Sequence, residues 1–198
     1  MSSTCFVHID VEADGRSPMM SNMLALGAVA TKPDGTEFSS FYVTIQPREC
    51  SQADHDTLQW LKDQNIYEEV TKDAVPAQEA MSKFETWLKS LITNTEFTRF
   101  KTVMRPSSFD WMWIACYWDE YTFGQSEEKR RLIGFKATCS SSLWEMFERK
   151  CLNDMSKTRA ELDEIWNRFL GPQVFTHHAI EDARAQAKFY HYLLDATA

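Results

Sequence analysis

Asp10 and Glu12 stand two residues apart in the stretch Phe6-Val7-His8-Ile9-Asp10-Val11-Glu12-Ala13-Asp14-Gly15. Val7, Ile9 and Val11 alternate there with Phe6, His8, Asp10 and Glu12, the period of a β-strand. Side chains two apart on a strand share a face, so both carboxylates point the same way. Side by side they repel, and on a largely apolar strand their desolvation is costly. A hard divalent cation such as Mg²⁺ removes both penalties, because it takes carboxylate oxygens as ligands. The bland alternative is a strand end running into solvent, with Glu12 and Asp14 simply exposed. Three further residues could join this chemistry. Asp110 follows a strand and opens a helix, Asp182 lies in the first turn of the last helix, and His177 precedes it by five residues. Acidic residues near helix N-termini also have an innocent explanation in the macrodipole.

The elements that must position these residues are legible in order. Residues 16–22 are polar and broken by Pro18, a loop. Met23–Thr31 is an apolar strand holding Gly27, Lys32-Pro33-Asp34-Gly35-Thr36 is a turn, and Phe38–Ile45 is a third strand that completes an antiparallel meander. Asp54–Gln64 reads as a helix with Asp54 or Asp56 as N-cap. Val75-Pro76 opens a longer helix through Ile92, whose Ala80, Phe84, Trp87, Leu88 and Leu91 form one apolar stripe. Phe100–Met104 is a fourth strand, halted by Pro106; Ser107 or Ser108 then caps a helix running to about Tyr121. Phe123–Arg131 is a polar loop with a charge run. Ser140-Ser141-Ser142 caps a helix through Leu152, and Lys157–Leu170 is a helix stopped by Gly171-Pro172. Val174–Thr176 is a short extended piece. Ala179–Leu194 is the last helix, with Ala183 and Ala187 small enough for close packing on a sheet. The pattern predicts an α/β fold: a mixed central sheet with an antiparallel three-strand meander and helices on both faces.

With 198 residues, 43% of them hydrophobic, seven Trp and thirteen Phe, the chain reads as one domain (1–198) with a sizeable core. A net charge of −8 excludes indiscriminate coating of nucleic acid, which needs a basic surface. Five scattered Cys form no CxxC pair, so neither a zinc site nor a disulfide framework is indicated, and unpaired thiols suit a reducing compartment. No stretch reaches membrane-spanning length and no basic segment precedes an apolar run, so a cytoplasmic location is expected. His8 reads as a hydrogen-bonded core histidine, and His55 and His191 as surface or packing residues. The aromatic run Trp111, Trp113, Tyr117, Trp118, Tyr121 reads as packing.

Taken in order, Asp10-Val11-Glu12, Phe109-Asp110-Trp111 and His177-His178-Ala179-Ile180-Glu181-Asp182-Ala183 resemble the three motifs of the DEDDh branch of 3′→5′ exonucleases, the DnaQ-like and ribonuclease T-like enzymes. Gly15 is placed as in ribonuclease T, and Thr57-Leu58-Gln59-Trp60-Leu61 is similar to a segment of a small exoribonuclease subgroup. The resemblance covers about Cys5 to Leu194 and implies a ribonuclease H-like fold. It also implies hydrolysis of phosphodiesters from a free 3′ end of RNA or short oligonucleotides, releasing nucleoside 5′-monophosphates. Two Mg²⁺ or Mn²⁺ ions would be held by Asp10, Glu12, Asp110 and Asp182, with Asp10 bridging, and His177 would be the general base, His178 filling a variable slot. Ala13, Gly15, Met23 and Phe109 would contact substrate; related enzymes wedge an apolar side chain beside the first motif, a role open to Met19, Met20 or Met23. A homodimer is implied as well. Two features depart from the pattern. Pro106 follows Arg105 where many members have Asn after His or Gly, and Arg16 stands where ribonuclease T-like members carry a stacking aromatic. Single-stranded DNA as substrate, or a non-catalytic nucleic-acid-binding protein retaining the fold, are the alternatives.

Overall fold

The computed structural model describes residues 4–49, 51–93, 97, 99–122, 132–134, 136–174 and 176–197. Its elements are β1 (Thr4–Ala13), β2 (Met23–Thr31), β3 (Glu37–Thr44), α1 (His55–Asp63), α2 (Tyr67–Thr71), α3 (Ala77–Thr93), β4 (Arg99–Met104), α4 (Ser107–Tyr121), β5 (Thr138–Cys139), α5 (Ser140–Asn153), α6 (Arg159–Leu170) and α7 (Ala179–Thr197). The strands form one mixed sheet in the order β3-β2-β1-β4-β5. β1–β2 and β2–β3 pair antiparallel, the expected meander, whereas β1–β4 and β4–β5 pair parallel. The loop expected at Phe123–Arg131 lies outside the described residues.

β1 is the middle strand, and its alternation is a division between two helical layers. Val7, Ile9 and Val11 pack with Phe84 and Leu88 of α3 and Trp113 and Tyr117 of α4 in the main core. Phe6, His8 and Asp10 face α7: Phe6 packs on Tyr190, His8 on Tyr190 and His191, and Asp10 meets Gln186. A second core, with Trp144, Phe147, Leu162 and Phe189, fixes α5 and α6 against the outer side of α7. Each large aromatic fully buried in these cores contributes on the order of 2–3 kcal/mol of hydrophobic stabilisation.

Local chemistry accounts for two of the helix starts. Asp54 caps α1 by accepting from the Thr57 backbone N–H at 2.9 Å, and Thr158 with Glu161 forms a capping box at α6. The serine caps expected for α4 and α5 are corrected: Pro106 and Cys139 occupy the cap positions, without a side-chain cap hydrogen bond, and Ser107 and Ser140 are already helical. β5 runs straight into α5 at Cys139, and the two-residue turn Arg105-Pro106 joins β4 to α4 with the proline in the cap position. Val174 sits in a turn and no described strand includes it.

Candidate active site

β1 outruns its parallel neighbour. Its pairing with β4 ends at His8–Val103, while pairing with β2 continues to Ala13. Asp10 and Glu12 therefore sit on the part of β1 that has lost one partner, at the carboxyl end of the strand, where open α/β sheets place their ligand crevices. The N-terminal turn of α4 fills the vacated edge, and Asp110 accepts a hydrogen bond from the backbone N–H of Val11. The third carboxylate-bearing element, α7, arrives from the other face. Its first turn rests on β2 at Gly27, the cross-strand partner of Asp10; a Cβ there would lie 2.2 Å from the Ala179 carbonyl carbon. Only glycine permits that approach, and it sets Asp182 beside Asp10 and Glu12.

The four carboxylates are almost wholly buried: Asp10 is 5% exposed, Glu12 7%, Asp110 2% and Asp182 0%. Together with His177 they line one cavity of about 310 Å³. Burial pushes Asp10 well above the ordinary carboxylate range, reinforced by Asp110, Glu12 and Asp182, with Arg105 pulling the other way. Glu12 is pushed up to about 8, by burial first and then by Asp182 and Asp110. Asp110 and Asp182 are raised by burial too, against the backbone N–H groups that bond them. The exposed strand end of the bland reading is thus overturned for Glu12, and for Asp14 as well. Asp14 is buried and accepts from the Asn22 backbone and side chain at 2.6 and 2.7 Å, a structural tie for the 16–22 loop.

His177 owes its place to Asp182. Its backbone is left-handed, at φ 57°, a conformation uncommon for a residue with a Cβ. Asp182 holds it there, accepting from the backbone N–H of Thr176 at 2.8 Å and of His177 at 3.0 Å. The ring meets Trp60 edge-on, with centroids 4.8 Å apart. Donor atoms of Glu12, His177 and Asp182 lie within 4.8 Å of one another, a spacing that one ion could span. His178 points elsewhere: it stacks on Tyr42 at 4.6 Å, with Nε2 3.5 Å from Glu69.

Of the substrate-contacting candidates, Ala13, Gly15 and Phe109 line the cavity. Met23 is corrected: as the first residue of β2 it is fully buried in the main core, away from the cavity lining, whereas Met19 and Met20 are exposed. Gly15 also has a packing reason, since a Cβ would fall 2.1 Å from the Ser21 Oγ. Sequence reasoning did not assign Gln186, whose amide donates to Asp10 Oδ1 at 2.6 Å; its place one helical turn after Asp182 was the available signal. Thr57, Trp60 and Leu61 line the cavity, as do Arg16 and Arg105, the two departures from the family pattern. His8 bonds Thr31 at 3.1 Å inside the core, as expected, and His191 bonds the same hydroxyl at 2.8 Å.

The model of the 3′-5′ exoribonuclease Rv2179c-like domain matches residues 5–194. The chain belongs to this family. Its solved structural relatives include the crystal structure of cell-death related nuclease 4 (CRN-4), at a TM-score of 0.63 and 14% identity over 98% of this chain. Exonuclease I from Methylocaldum szegediense superposes at 0.66 with 12% identity over 93% of this chain, and S. pombe Pop2p in its Mg²⁺- and Mn²⁺-bound form at 0.56 with 10% identity over 94%. The chain spans 64% of the first of these proteins, 39% of the second and 81% of the third. At such identities the likeness is one of fold, and that fold is the ribonuclease H-like one expected. No curated protein matches the chain significantly in sequence. Among the described residues no helix is long and apolar enough to cross a membrane.

Proposed function

We propose that this member of the family is a metal-dependent 3′→5′ exonuclease of RNA or short oligonucleotides, releasing nucleoside 5′-monophosphates. The observation that carries the reading is the convergence of four buried carboxylates and His177 on one cavity. The donor set fits two Mg²⁺ or Mn²⁺ ions. It is oxygen-rich, burial and then the neighbouring acids raise the carboxyl pKa values of Asp10 and Glu12, and Asp110 Oδ2 is buried with no hydrogen-bond partner. Asp10 would bridge the ions, Glu12 and Asp182 would each hold one, and Asp110 would hold its ion directly or through water. When bound, such ions supply the charge that stabilises an attacking hydroxide and a departing 3′-oxyanion.

The chain's own residues do the rest. His177 accepts the proton of the attacking water at a ring nitrogen, a role suited to imidazole near neutral pH. Asp182 fixes the backbone of that histidine, and Trp60 limits the swing of its ring. Arg105 and Arg16 bring positive charge to the phosphate, and Ala13, Gly15 and Phe109 face the terminal nucleotide. The assembly proposed with this activity is the homodimer that the family resemblance implies. Matched 5′-labelled RNA and DNA oligonucleotides with Mn²⁺, Mg²⁺ or EDTA test the reading. The expected result is stepwise shortening of RNA from its 3′ end with either ion and none with EDTA. Full activity in EDTA refutes the metal mechanism, preference for DNA reassigns the substrate, and cleavage of neither strand returns the chain to a non-catalytic binder.

A further inference from the structure

A second cavity, of about 480 Å³, opens beside the catalytic one and has the opposite charge. Arg168, Arg184 and Lys188 line it against a single carboxylate, Glu181, on a chain whose net charge is −8. Arg184 is already committed, bonding Glu181 at 2.7 Å and Glu37 at 3.2 Å. Arg168 and Lys188 are exposed, and among the described residues neither has a carboxylate within 4.0 Å. The Arg168 guanidinium lies 5.1 Å from the centre of the Phe169 ring, a cation–π contact that presents it to the cavity.

The groove meets the catalytic cavity at the start of α7 rather than along it. At about 100° per residue, Glu181, Arg184 and Lys188 lie on a face turned well away from the one that presents Asp182 and Gln186 to Asp10. Thr176 joins the two cavities: it lines the groove while its backbone N–H holds Asp182, and the next residue, His177, lines the catalytic cavity. A strand with its 3′ end among the carboxylates that leaves past this segment brings its next charged groups, the phosphates, to the groove.

We infer that the groove holds the phosphate backbone of RNA on the 5′ side of the scissile bond, through Arg168 and Lys188. The inference rests on the nuclease reading and deepens it: strands long enough to reach the groove bind more tightly than dinucleotides. Arg168→Glu/Lys188→Glu, both exposed positions, is the variant to compare with the parent on RNA of about twelve nucleotides and on an RNA dinucleotide. KM for the longer strand should rise about tenfold with kcat retained, while dinucleotide hydrolysis stays within about twofold. Arg168→Ala/Lys188→Ala should flatten the dependence of log affinity on log salt by about 1.4, from about 0.7 per lost phosphate contact on a single strand. An unchanged KM for the longer strand overturns the inference, as does equal loss on both substrates. If the parent cleaves neither substrate, the nuclease reading fails. Anisotropy with the longer RNA then still decides the groove, equal affinities of parent and variant refuting it.

Discussion

Glu12→Gln should stabilise the metal-free protein at alkaline pH and fail to do so in acid. Burial and its acidic neighbours raise the Glu12 carboxyl from 4.5 to about 8 in the folded state. Between those values the folded protein holds a proton that the unfolded chain releases, so stability falls as pH rises. The favourable contribution is fully present below about pH 4.5 and is lost as pH passes through about 8. That separation corresponds to about 5 kcal/mol of destabilisation once Glu12 is ionised. Glutamine keeps the shape and removes the charge, at a loss of about 2 kcal/mol for an imperfectly paired buried amide. The net gain near pH 9 is about 3 kcal/mol, or roughly 6–12 °C in Tm for a chain of this size. At pH 5 most of that destabilisation is absent, so the amide loss outweighs it and the variant should melt below the parent. Thermal scans in EDTA from pH 5 to 9 read the crossover directly. Saturating Mn²⁺ should then close the gap at high pH, because the parent gains about 2.7 kcal/mol at a hundred times Kd and the variant has lost a ligand. A constant offset at every pH, or an equal Mn²⁺ gain in both proteins, would refute the reasoning.

The other expectations concern activity. Asp10→Ala and Asp182→Ala should each abolish cleavage of labelled RNA, but their metal-free melting temperatures should diverge: Asp10→Ala relieves repulsion, whereas Asp182→Ala also frees the Thr176 and His177 backbone. Most activity remaining in either, or melting shifts of the same sign, would contradict the assignment. His177→Ala should lose about 10²–10⁴ in kcat yet still bind Mn²⁺ and oligonucleotide, while His178→Ala, which loses only its contacts with Tyr42 and Glu69, should stay within several-fold of the parent; equal damage from both would overturn the choice of base. A 3′-phosphate should block degradation, since it sets added negative charge among the carboxylates; equal rates on blocked and free ends would exclude an exonuclease that enters from the 3′ end.

The sheet was legible because its strands carry their burial in their composition. β2 falls at Met23–Thr31 as read, since an unbroken apolar run bounded by a turn is what a strand buried on both faces requires. α2, at five residues, and β5, at two, are too short to show a period, and each exists through tertiary contacts: Val70 of α2 packs on Leu24, and β5 pairs with β4. The residues of the three motifs were legible as a group, and the structure brings them to one cavity. What could not be read was which neighbours reach that cavity. Met23 is close in sequence to the first motif yet buried, because the loop before it returns the chain into the core. Trp60 and Arg105 reach it from α1 and from the end of β4, positions fixed only once those elements have packed.

Arg105 bears on how the site tolerates its own charge. Its guanidinium lowers the pKa of Asp10 and Asp110, and it is supported from outside by the Trp166 ring, 5.0 Å from its carbon. Both carboxyls nevertheless stay well above the ordinary range, so one guanidinium does not offset the burial of four acids. The remaining charge has to be met by protons or by metal ions. Protons satisfy the fold but occupy the lone pairs that ligands need, so ions must displace them, and apparent metal affinity has to rise with pH through the range in which Glu12 ionises. A non-catalytic scaffold would gain nothing from this arrangement. Replacing any of the four acids by a neutral side chain of similar shape would relieve the repulsion, whereas a site that loads cations has a use for every one of them.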